Sequence, residues 1–234
     1  MNSQKVSIII PCYNYGKYVK DAIDSALNQT YTNIEIVIIN DGSTDSSADV
    51  IKPYLSTSKI VYLEQQNGGP VVSRNNGIAA SSGDWIYPLD ADDYISPKFI
   101  QEAFRSIVDY KTIVSTHVHE ADAALNLTGN VWYIAGGNSD LIRQRNSLNG
   151  NSLFSKKFFN EVGGYNVDLS RLGWEDWDLW IRMIDAGANI KIIKSSDDKQ
   201  PYFRYRKHGT SRSSTADNNQ SLKQYFIKKY NCKL

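Results

Sequence analysis

Residues 6–14, which read Val-Ser-Ile-Ile-Ile-Pro-Cys-Tyr-Asn, set the pattern for the first half of this 234-residue chain. Residues 6–10 form an apolar run rich in β-branched side chains, and Pro11 ends it. This pattern predicts a buried strand followed by a polar turn. Two later stretches repeat the pattern of an apolar run before polar residues: 34–39 before Asn40-Asp41, and 85–89 before Asp90-Ala91-Asp92-Asp93.

Segments with helical periodicity separate these predicted strands. The predicted helices cover residues 17–28, 45–55, 70–80 and 97–109, and further strands cover residues 59–63 and 113–116. Strands that alternate with helices predict an α/β fold, in which a Rossmann-like, mainly parallel sheet has helices on both faces. In such sheets ligands bind at the carboxyl ends of the strands, which is where the polar turns of this chain fall.

The second half of the chain is less regular. Glycine and asparagine are frequent over residues 117–150, which predicts loops and short strands. The elements expected after this region are a strand at 153–155, helices at 156–162 and 174–186, strands at 190–193 and 202–207, a mobile stretch at 210–219 and a helix at 221–230. No linker is long enough to separate independent domains. We therefore expect one domain over residues 1–234, with a regular half to about residue 115 and an irregular half from about residue 116.

The composition excludes several functional classes. The chain has 26 Lys and Arg and 25 Asp and Glu, which gives a net charge of +1 without the basic excess of a nucleic-acid-binding domain. Its two cysteines, Cys12 and Cys232, argue against a disulfide scaffold and a CxxC zinc site. The first residues show no signal peptide, and no window approaches about 20 uninterrupted apolar residues. We therefore expect a cytoplasmic protein without a transmembrane helix.

Three carboxylates lie within four residues at Asp90-Ala91-Asp92-Asp93. Such carboxylates repel one another unless a cation relieves them, and Mg²⁺ and Mn²⁺ prefer oxygen ligands. The alternative is a turn with a helix N-cap at Asp93, because Asp favours such positions and Pro97 follows. The place of the cluster at the carboxyl rim of the predicted sheet favours a cation site.

Asp41 and Arg74 are candidates for binding a nucleotide. Asp41 ends a predicted strand, so its carboxylate either forms an Asx turn or accepts a hydrogen bond from an N–H of a ligand's base. Arg74 lies on the helix predicted at 70–80, and its candidate partners are Asp41 and a nucleotide.

The helix predicted at 174–186 has acidic residues in its first turns. Asp178 and Arg182 are four residues apart, which predicts a surface ion pair. Asp176 shares a face with apolar residues, where a carboxylate is costly unless it is paired or functional. Desolvation there would raise its pKa and suit it to proton abstraction. The alternative is an acidic first turn that answers the helix macrodipole, which would also explain Glu175.

The three histidines and the absence of several known motifs exclude further functional classes. His117 and His119 alternate on a predicted strand, but no third metal ligand lies nearby, which favours structural roles. His208 alone indicates only a polar loop residue. The chain lacks a GxGxxG after its first strand, a GxxxxGK[ST] and a GxSxG. These absences argue against dehydrogenases, P-loop enzymes and α/β-hydrolases.

Six segments together match the pattern of one family, in its order and across nearly the whole chain. They are Pro11-Cys12-Tyr13-Asn14, Asn40-Asp41-Gly42-Ser43-Thr44-Asp45, Asn67 and Gly69 with Ser73-Arg74-Asn75, Leu89-Asp90-Ala91-Asp92-Asp93, Trp174-Glu175-Asp176, and Tyr205-Arg206-Lys207-His208-Gly209-Thr210-Ser211. In this order they resemble the motifs of family-2 inverting glycosyltransferases of the GT-A fold. Each segment is weak alone, and the six in sequence are specific.

The resemblance implies a role for each matched residue. The nucleotide sugar would be bound by Pro11, Tyr13, Asp41, Asn67, Arg74, Asp90 and Asp92, with Asp41 accepting a hydrogen bond from the base. The ligands of Mn²⁺ or Mg²⁺ would be Asp92 and His208, and the residues near the phosphates would be Arg204 and Arg206. Asp176 would be the general base, and Trp174 and Glu175 would lie on the acceptor side.

The resemblance also implies the reaction. One sugar would pass with inversion from a nucleotide-diphosphate sugar, expected to be UDP-linked, to a hydroxyl of a saccharide, a lipid-linked or a protein acceptor. Residues 1–115 would bind the donor and residues 116–234 the acceptor. The setting implied is polysaccharide biosynthesis of the cell envelope, with at most peripheral contact at the inner face of the membrane.

Two other functions are consistent with the same motifs. One is a non-catalytic subunit that binds sugar nucleotides, against which the full set of Asp92, Asp176 and His208 argues. The other is a nucleotidyltransferase that makes sugar nucleotides. Such an enzyme is expected to have a glycine-rich loop with a basic residue after its first strand, and Pro11-Cys12-Tyr13-Asn14 does not fit that pattern.

Overall fold

The protein is built on two β-sheets, in a computed structural model that describes residues 4–197, 199–209 and 219–234. The strands are β1 (Val6–Cys12), β2 (Ile34–Asn40), β3 (Ile60–Glu64), β4 (Trp85–Pro88), β5 (Tyr94–Ile95), β6 (Thr112–Thr116), β7 (Val118–Ala121), β8 (Leu127–Trp132), β9 (Leu153–Ser155), β10 (Asn189–Ile193) and β11 (Phe203–Arg206). The stretch predicted to be mobile, 210–219, lies outside the described residues except for its last position.

The larger sheet has seven strands in the order β10-β6-β9-β4-β1-β2-β3. Strand β9 runs antiparallel to both of its neighbours, β4 and β6, and the other pairs are parallel. The prediction of a mainly parallel α/β sheet is therefore confirmed.

Both faces of this sheet are buried, which explains the continuous apolar runs in its central strands. In β1, Ile8 and Ile10 pack into the core on one face, and Ile9 packs into the core on the other. In β2, Ile38 and Ile39 divide in the same way. Successive side chains of a strand point to opposite faces, so every residue of the run has an apolar surrounding.

Helices cover both faces of the sheet, as predicted. The α-helices described are α1 (Val19–Leu27), α2 (Ser47–Ile51), α3 (Pro70–Ala80), α4 (Phe99–Ser106), α5 (Ser139–Ile142), α6 (Lys156–Glu161), α7 (Glu175–Asp185) and α8 (Gln220–Tyr230). Helices α1, α2 and α4 pack on one face, and α3, α6, α7 and α8 pack on the other. Gly77 allows α3 to lie close to the sheet, because a Cβ there would come within 2.5 Å of Cδ1 of Ile39.

The smaller sheet has four strands in the order β5-β11-β7-β8. Strand β5 begins directly after Asp93, and β11 ends two residues before His208. Antiparallel pairing of β5 with β11 therefore brings the acidic segment and His208 to one place. The hairpin of β7 and β8 accounts for part of the region 117–150, where loops and short strands were predicted.

The helices predicted at 45–55 and 97–109 are both shorter in the structure than expected. The helix expected at 45–55 is α-helical only to Ile51 and continues as a 3₁₀ turn over Lys52–Ser56. Pro53 lies at the start of that turn and has no N–H to continue the α-helical ladder. Helix α4 spans Phe99–Ser106, so it begins later and ends earlier than predicted. The carbonyl of Pro97 lies outside the helix and accepts a hydrogen bond from the backbone N–H of Thr30.

No helix among the described residues is long and apolar enough to cross a membrane. The organisation as one domain with a donor half and an acceptor half stays a prediction.

Candidate active site

Arg74 on α3 joins the acidic segment after β4 to the beginning of α7. Its guanidinium donates from Nη1 to Oε1 of Glu175 at 2.7 Å and from Nη2 to Oδ1 of Asp90 at 2.5 Å. The side chains of Arg74 and Glu175 are buried, whereas that of Asp90 is 36% exposed. Asp176 follows Glu175 directly, so this bridge brings the predicted base to the predicted cation-binding segment. The alternative in which Arg74 pairs with Asp41 is wrong.

Asp176 lies partly exposed in the first turn of α7. Its Oδ2 accepts a hydrogen bond from Nδ2 of Asn146 at 2.9 Å, and its Oδ1 accepts one from the backbone N–H of Trp177 at 2.8 Å. Desolvation, with a contribution from the neighbouring Glu175 carboxylate, raises the pKa of Asp176 to about 6. A carboxylate with such a pKa is ionised at neutral pH and can still accept a proton.

The chain enters α7 through two residues in the left-handed region, Gly173 at φ +93° and Trp174 at φ +59°. Glycine adopts this conformation without a steric penalty, but tryptophan does so only where its surroundings hold it. The Trp174 ring packs against Trp177 at 5.1 Å and against Phe226 of α8 at 5.4 Å between centroids. The last described helix therefore fixes the residue that leads into Glu175 and Asp176.

Asp92 and His208, the predicted metal ligands, are in contact. Nε2 of His208 lies 2.9 Å from Oδ2 of Asp92, and the His208 ring packs on Tyr18 at 4.4 Å between centroids. Desolvation and the nearby Asp90 carboxylate raise the pKa of Asp92. An oxygen and a nitrogen donor in a crowded negative site fit a divalent cation such as Mn²⁺. Among the described residues no group of three His, Cys, Asp or Glu side chains forms a metal site.

Asp93 holds β11 in place instead of capping a helix. Its buried Oδ1 accepts the backbone N–H of Arg206 at 2.9 Å, and the N-cap of α4 is Lys98. The N-cap alternative for Asp93 is therefore wrong. Burial, together with the Asp92 and Asp90 carboxylates, raises the pKa of Asp93 well above its usual range.

The two arginines predicted near the phosphates both contact protein oxygens. The buried Arg206 donates from Nε to the carbonyl of Asp92 at 2.6 Å and from Nη2 to Oδ2 of Asp21 at 2.7 Å. Its Nη1 donates to the carbonyl of residue 123 at 2.5 Å, so all three nitrogens of its guanidinium are engaged. Arg204 lies over the ring of Tyr94 at 5.1 Å and donates to the carbonyl of Leu125 at 3.1 Å.

Asp41 organises the loop that leads into α3. Its Oδ1 accepts from Nε2 of Gln65 at 2.7 Å and from the N–H of Gly68 at 2.9 Å, and its Oδ2 accepts from the N–H of Gly69 at 2.9 Å. These partners are 24 to 28 residues away, so the Asx-turn alternative is wrong. Asn67 in the same loop is exposed, and its Oδ1 accepts from Arg171 at 3.2 Å.

The turns after β1 and β2 are tied together beside this loop. Oδ1 of Asn14 accepts the N–H of Thr44 at 2.8 Å, and the hydroxyl of Ser43 accepts the N–H of Asn14 at 3.0 Å. Pro11 ends its apolar run half-buried, and Tyr13 in the turn after β1 is 45% exposed. The exposed ring of Tyr13 is accessible to a base, and the role of Pro11 and Tyr13 in bordering one stays a prediction.

Two residues matter more than their sequence suggests. Asn146, in a loop without a recognisable motif, contacts the predicted base directly. The ion pair predicted between Asp178 and Arg182 is present, but the prediction that it lies on the surface is wrong. Asp178 pairs with Arg182 at 2.6 Å but is fully buried, and it also contacts Lys229 at 3.2 Å and the hydroxyl of Tyr230 on α8. The i,i+4 spacing predicts the pairing of Asp178 with Arg182, but it does not predict that α8 covers Asp178.

His117 and His119 do not form a metal site among the described residues. Nδ1 of His117 accepts the backbone N–H of Ile134 at 3.1 Å, and His119 lies opposite Val131 in the β7–β8 hairpin. The hydrogen bond of His117 agrees with the structural role predicted for it, and the structural role of His119 stays a prediction.

Comparison with known proteins supports the resemblance seen in the motifs. The model of the family described as glycosyl transferase family 2 matches residues 7–163. Glycosyltransferase GlyA of Streptococcus pneumoniae is 38% identical over 112 residues, which cover 47% of this chain and 16% of GlyA. The chondroitin synthase of Escherichia coli is 27% identical over 245 residues, covering 96% of this chain and 34% of that protein. The chain thus spans about a third or less of the length of these two relatives.

Solved structures with the same fold include that of Staphylococcus aureus TarS 1–349 in complex with UDP-GlcNAc. It superimposes with a TM-score of 0.70 at 18% identity, covering 91% of this chain and 61% of the TarS chain. The complex of the same TarS fragment with UDP gives a TM-score of 0.70 over 97% of this chain. This likeness confirms the GT-A type of α/β fold.

Proposed function

The chain belongs to glycosyltransferase family 2, and from that membership we propose that it moves one sugar from a nucleotide-diphosphate sugar to an acceptor hydroxyl, with inversion at the anomeric carbon. The observation that carries the proposal is the path Asp176–Glu175–Arg74–Asp90. It joins a partly exposed carboxylate of raised pKa to the acidic segment at the carboxyl end of β4.

The reaction follows from the position and protonation of Asp176. The acceptor oxygen attacks the anomeric carbon, and its new bond forms while the bond to the diphosphate oxygen breaks. The hydroxyl proton passes to the Asp176 carboxylate, and the electron pair of the broken bond leaves with the nucleotide diphosphate. Attack from the face opposite the leaving group inverts the configuration, through a transition state of oxocarbenium character.

Arg74 positions both sides of this reaction. Its buried guanidinium holds Glu175 and Asp90, so the base and the half-exposed Asp90 keep a fixed separation. We propose that Asp90 accepts hydrogen bonds from donor hydroxyls, because an ionised carboxylate offers only lone pairs.

We propose that Asp92 and His208 hold Mn²⁺ or Mg²⁺. Their oxygen and nitrogen donors are in contact, and the neighbouring Asp90 concentrates negative charge there. When bound, the cation supplies positive charge that offsets the charge developing on the diphosphate. The protein offers two donors among its described residues, so donor phosphates and water would complete the coordination.

Arg206 and Tyr18 keep this pair in position. Arg206 donates to the carbonyl of Asp92, and the Tyr18 ring packs on His208. We therefore propose that Arg206 acts on the phosphates through Asp92, whereas Arg204 remains a candidate for direct phosphate contact. Mutation of Arg206 would shift Asp92, so we expect it to lower metal affinity more than the loss of a distant positive charge would.

The donor is proposed to be UDP-linked, with its base near Pro11, Tyr13, Asp41 and Asn67. The TarS complexes with UDP and UDP-GlcNAc support this class of nucleotide in a protein of the same fold. An ionised carboxylate offers about four lone pairs, and three of those of the buried Asp41 accept protein donors, so Oδ2 keeps one for a further N–H.

A saccharide acceptor is supported by aromatic side chains beyond the carboxyl end of β6. Trp132 and Tyr133 are 46% and 78% exposed, and Tyr133 packs against His117, which directly follows β6. Strands β6 and β4 are separated only by β9, which places their ends about 10 Å apart. That span suits a further sugar ring of an acceptor whose first ring lies at Asp176, and exposed aromatic faces are suited to stacking on it.

The proposal is tested with a panel of nucleotide sugars, by measuring nucleotide release and transfer to oligosaccharides with and without Mn²⁺. We expect a UDP-sugar to be turned over, and NMR of the product to show an anomeric configuration opposite to that of the donor. Retained configuration would contradict the mechanism, and binding of nucleotide sugars without turnover would favour a non-catalytic subunit. A lipid-linked acceptor would place this chemistry at the inner face of the membrane.

A further inference from the structure

We propose that Asn146 is the positioning residue of the general base, because its side-chain amide fixes the Asp176 carboxylate in the orientation that receives the acceptor proton. The inference deepens the proposed function and rests on the role of Asp176 in it. Asn146 lies 30 residues before Asp176, in the loop between α5 and β9.

The contact has only one chemically sensible orientation. An ionised carboxylate can accept but not donate, so the group of Asn146 that lies 2.9 Å from Oδ2 of Asp176 is its amide nitrogen. The other oxygen, Oδ1, accepts the N–H of Trp177 at 2.8 Å. With one fixed donor on each oxygen, the carboxylate plane is held, and each oxygen keeps a lone pair for the incoming hydroxyl.

The loop also approaches Asp176 with its backbone. A Cβ at Gly150 would lie 3.1 Å from Oδ2 of Asp176, which is closer than nearly all Cβ atoms lie to a neighbouring atom. Asn146 and Gly150 therefore enclose Oδ2 between them, and glycine at position 150 leaves room for the carboxylate.

The loop is anchored at both ends, so Asn146 is presented from a fixed frame. The carbonyl of Ile142 accepts a hydrogen bond from Nε1 of Trp177 at 2.6 Å, which ties α5 to α7. At the other end, the amide of Asn151 donates to the carbonyl of Pro88 at 3.1 Å, and the hydroxyls of Ser152 and Ser115 meet at 2.9 Å. These contacts join the loop to the ends of β4 and β6.

Asn146 differs in its position from the other groups that act on the Asp176 carboxylate. Glu175 on the same helix disfavours the charged form of Asp176, and Arg74 on α3 favours it. Tyr165, before α7, presents a buried neutral phenol, because burial raises its pKa. Asn146 is exposed, so it is the donor among these that meets the carboxylate on the side open to solvent.

Two substitutions separate the donor from the shape of the side chain. Asn146→Ala removes the amide, and Asn146→Asp keeps the size but replaces the donor by a like charge. Gln144→Ala, in the same loop and exposed, is the matched control. For each variant, kcat is measured across pH 4.5–8.5 at saturating donor and acceptor, together with UDP binding and thermal unfolding.

We expect Asn146→Ala to lower kcat by roughly 10-fold and to move the acid limb of its pH profile upward by about half a pH unit or more. Asn146→Asp should move that limb further upward, while UDP affinity and unfolding stay within the range of Gln144→Ala. A kcat profile that keeps its midpoint in both Asn146 variants would overturn the proposal.

The same experiment separates this inference from the proposed function through Asp176→Asn. If that variant loses transfer while the Asn146 profiles do not move, only the positioning role fails. If Asp176→Asn retains transfer, the base assignment fails and the positioning role fails with it.

Discussion

Nη1 of Arg74 lies 2.7 Å from Oε1 of Glu175, in a buried ion pair that joins residues 101 positions apart. Breaking a buried pair leaves one charge uncompensated, at a cost of about 3–5 kcal/mol. Because Asp90 shares the same guanidinium, the pair also helps to set the distance between Asp90 and Asp176.

Arg74→Met is therefore expected to lower the free energy of unfolding by about 3 kcal/mol or more, measured by urea denaturation. It should also raise the KM for the donor. Arg105→Met is the control, since Arg105 is an exposed partner of Glu102 on α4 and should cost less than about 1 kcal/mol. Equal losses in the two variants would show that the Arg74 bridge contributes no more than a surface pair.

The pH dependence of turnover is expected to follow Asp176. Its pKa is raised to about 6, so the carboxylate becomes protonated and inactive as a base when the pH falls below that value. The acid limb of kcat should then have its midpoint near pH 6, measured at saturating substrates. A limb near pH 4, as for an ordinary Asp, would contradict the desolvated setting of this group.

Stability in acid is expected to depend on Glu35 at the other end of the sheet. Hydrogen bonds from Lys5, Ser7 and Ser82 outweigh its burial and lower the pKa of Glu35 to about 2. The pKa of Glu35 is lower in the folded protein than in the unfolded chain. Its contribution to the free energy of unfolding is therefore complete above about pH 5 and is lost as the pH falls toward 2. Glu35→Gln should cost about 3 kcal/mol at pH 7 and much less at pH 2.5, by urea denaturation. The surface variant Glu102→Gln should show little difference between these pH values.

The buried Asp178 is expected to attach α8 to α7. Asp178→Asn should lower the free energy of unfolding by about 3 kcal/mol, because Arg182 and Lys229 lose a buried counter-charge. Asp185→Asn on the same helix breaks the more exposed pair with Arg143 and should cost about 1 kcal/mol or less. Limited proteolysis would check that α8 is the part released.

The aromatic side chains near β6 are expected to act on the acceptor alone. Trp132→Ala should raise the KM for an oligosaccharide acceptor by about 5-fold, since stacking on one ring is worth roughly 1 kcal/mol. The donor KM should not change. Tyr110→Ala is the matched control, because Tyr110 is an exposed aromatic residue two positions before β6, at the opposite end of that strand from His117. A change in donor KM, or none in acceptor KM, would remove the support for a saccharide subsite here.

The central strands of the seven-stranded sheet can be predicted from the sequence, because each of them must meet the same local requirement. A strand covered on both faces needs a continuous apolar run, and the runs at 6–10 and 34–39 lie within β1 and β2. The polar residues after them fall at the carboxyl ends of the strands for the same reason. The ends of helices depend on single residues, as Pro53 shows.

The connections within the site could not be predicted in this way. Arg74 had two candidate partners in the sequence and pairs instead with Asp90 and Glu175, because the packing of α3 and α7 on one sheet face decides the distance. Asn146 has no local signal, since its role exists only where its loop meets α7. Asp178 has the predicted partner, Arg182, but its burial depends on α8, which covers it from 51 residues away.

The central claim is that one site combines a cation held by Asp92 and His208, a nucleotide diphosphate and the Asp176 carboxylate. The most direct test is a crystal structure with UDP and Mn²⁺, in which anomalous scattering locates the metal. We predict a manganese peak bonded to Asp92, His208 and the diphosphate, with Asp176 facing the space beyond the terminal phosphate. A metal bound elsewhere, or a nucleotide on the side of the sheet away from Asp176, would contradict the account.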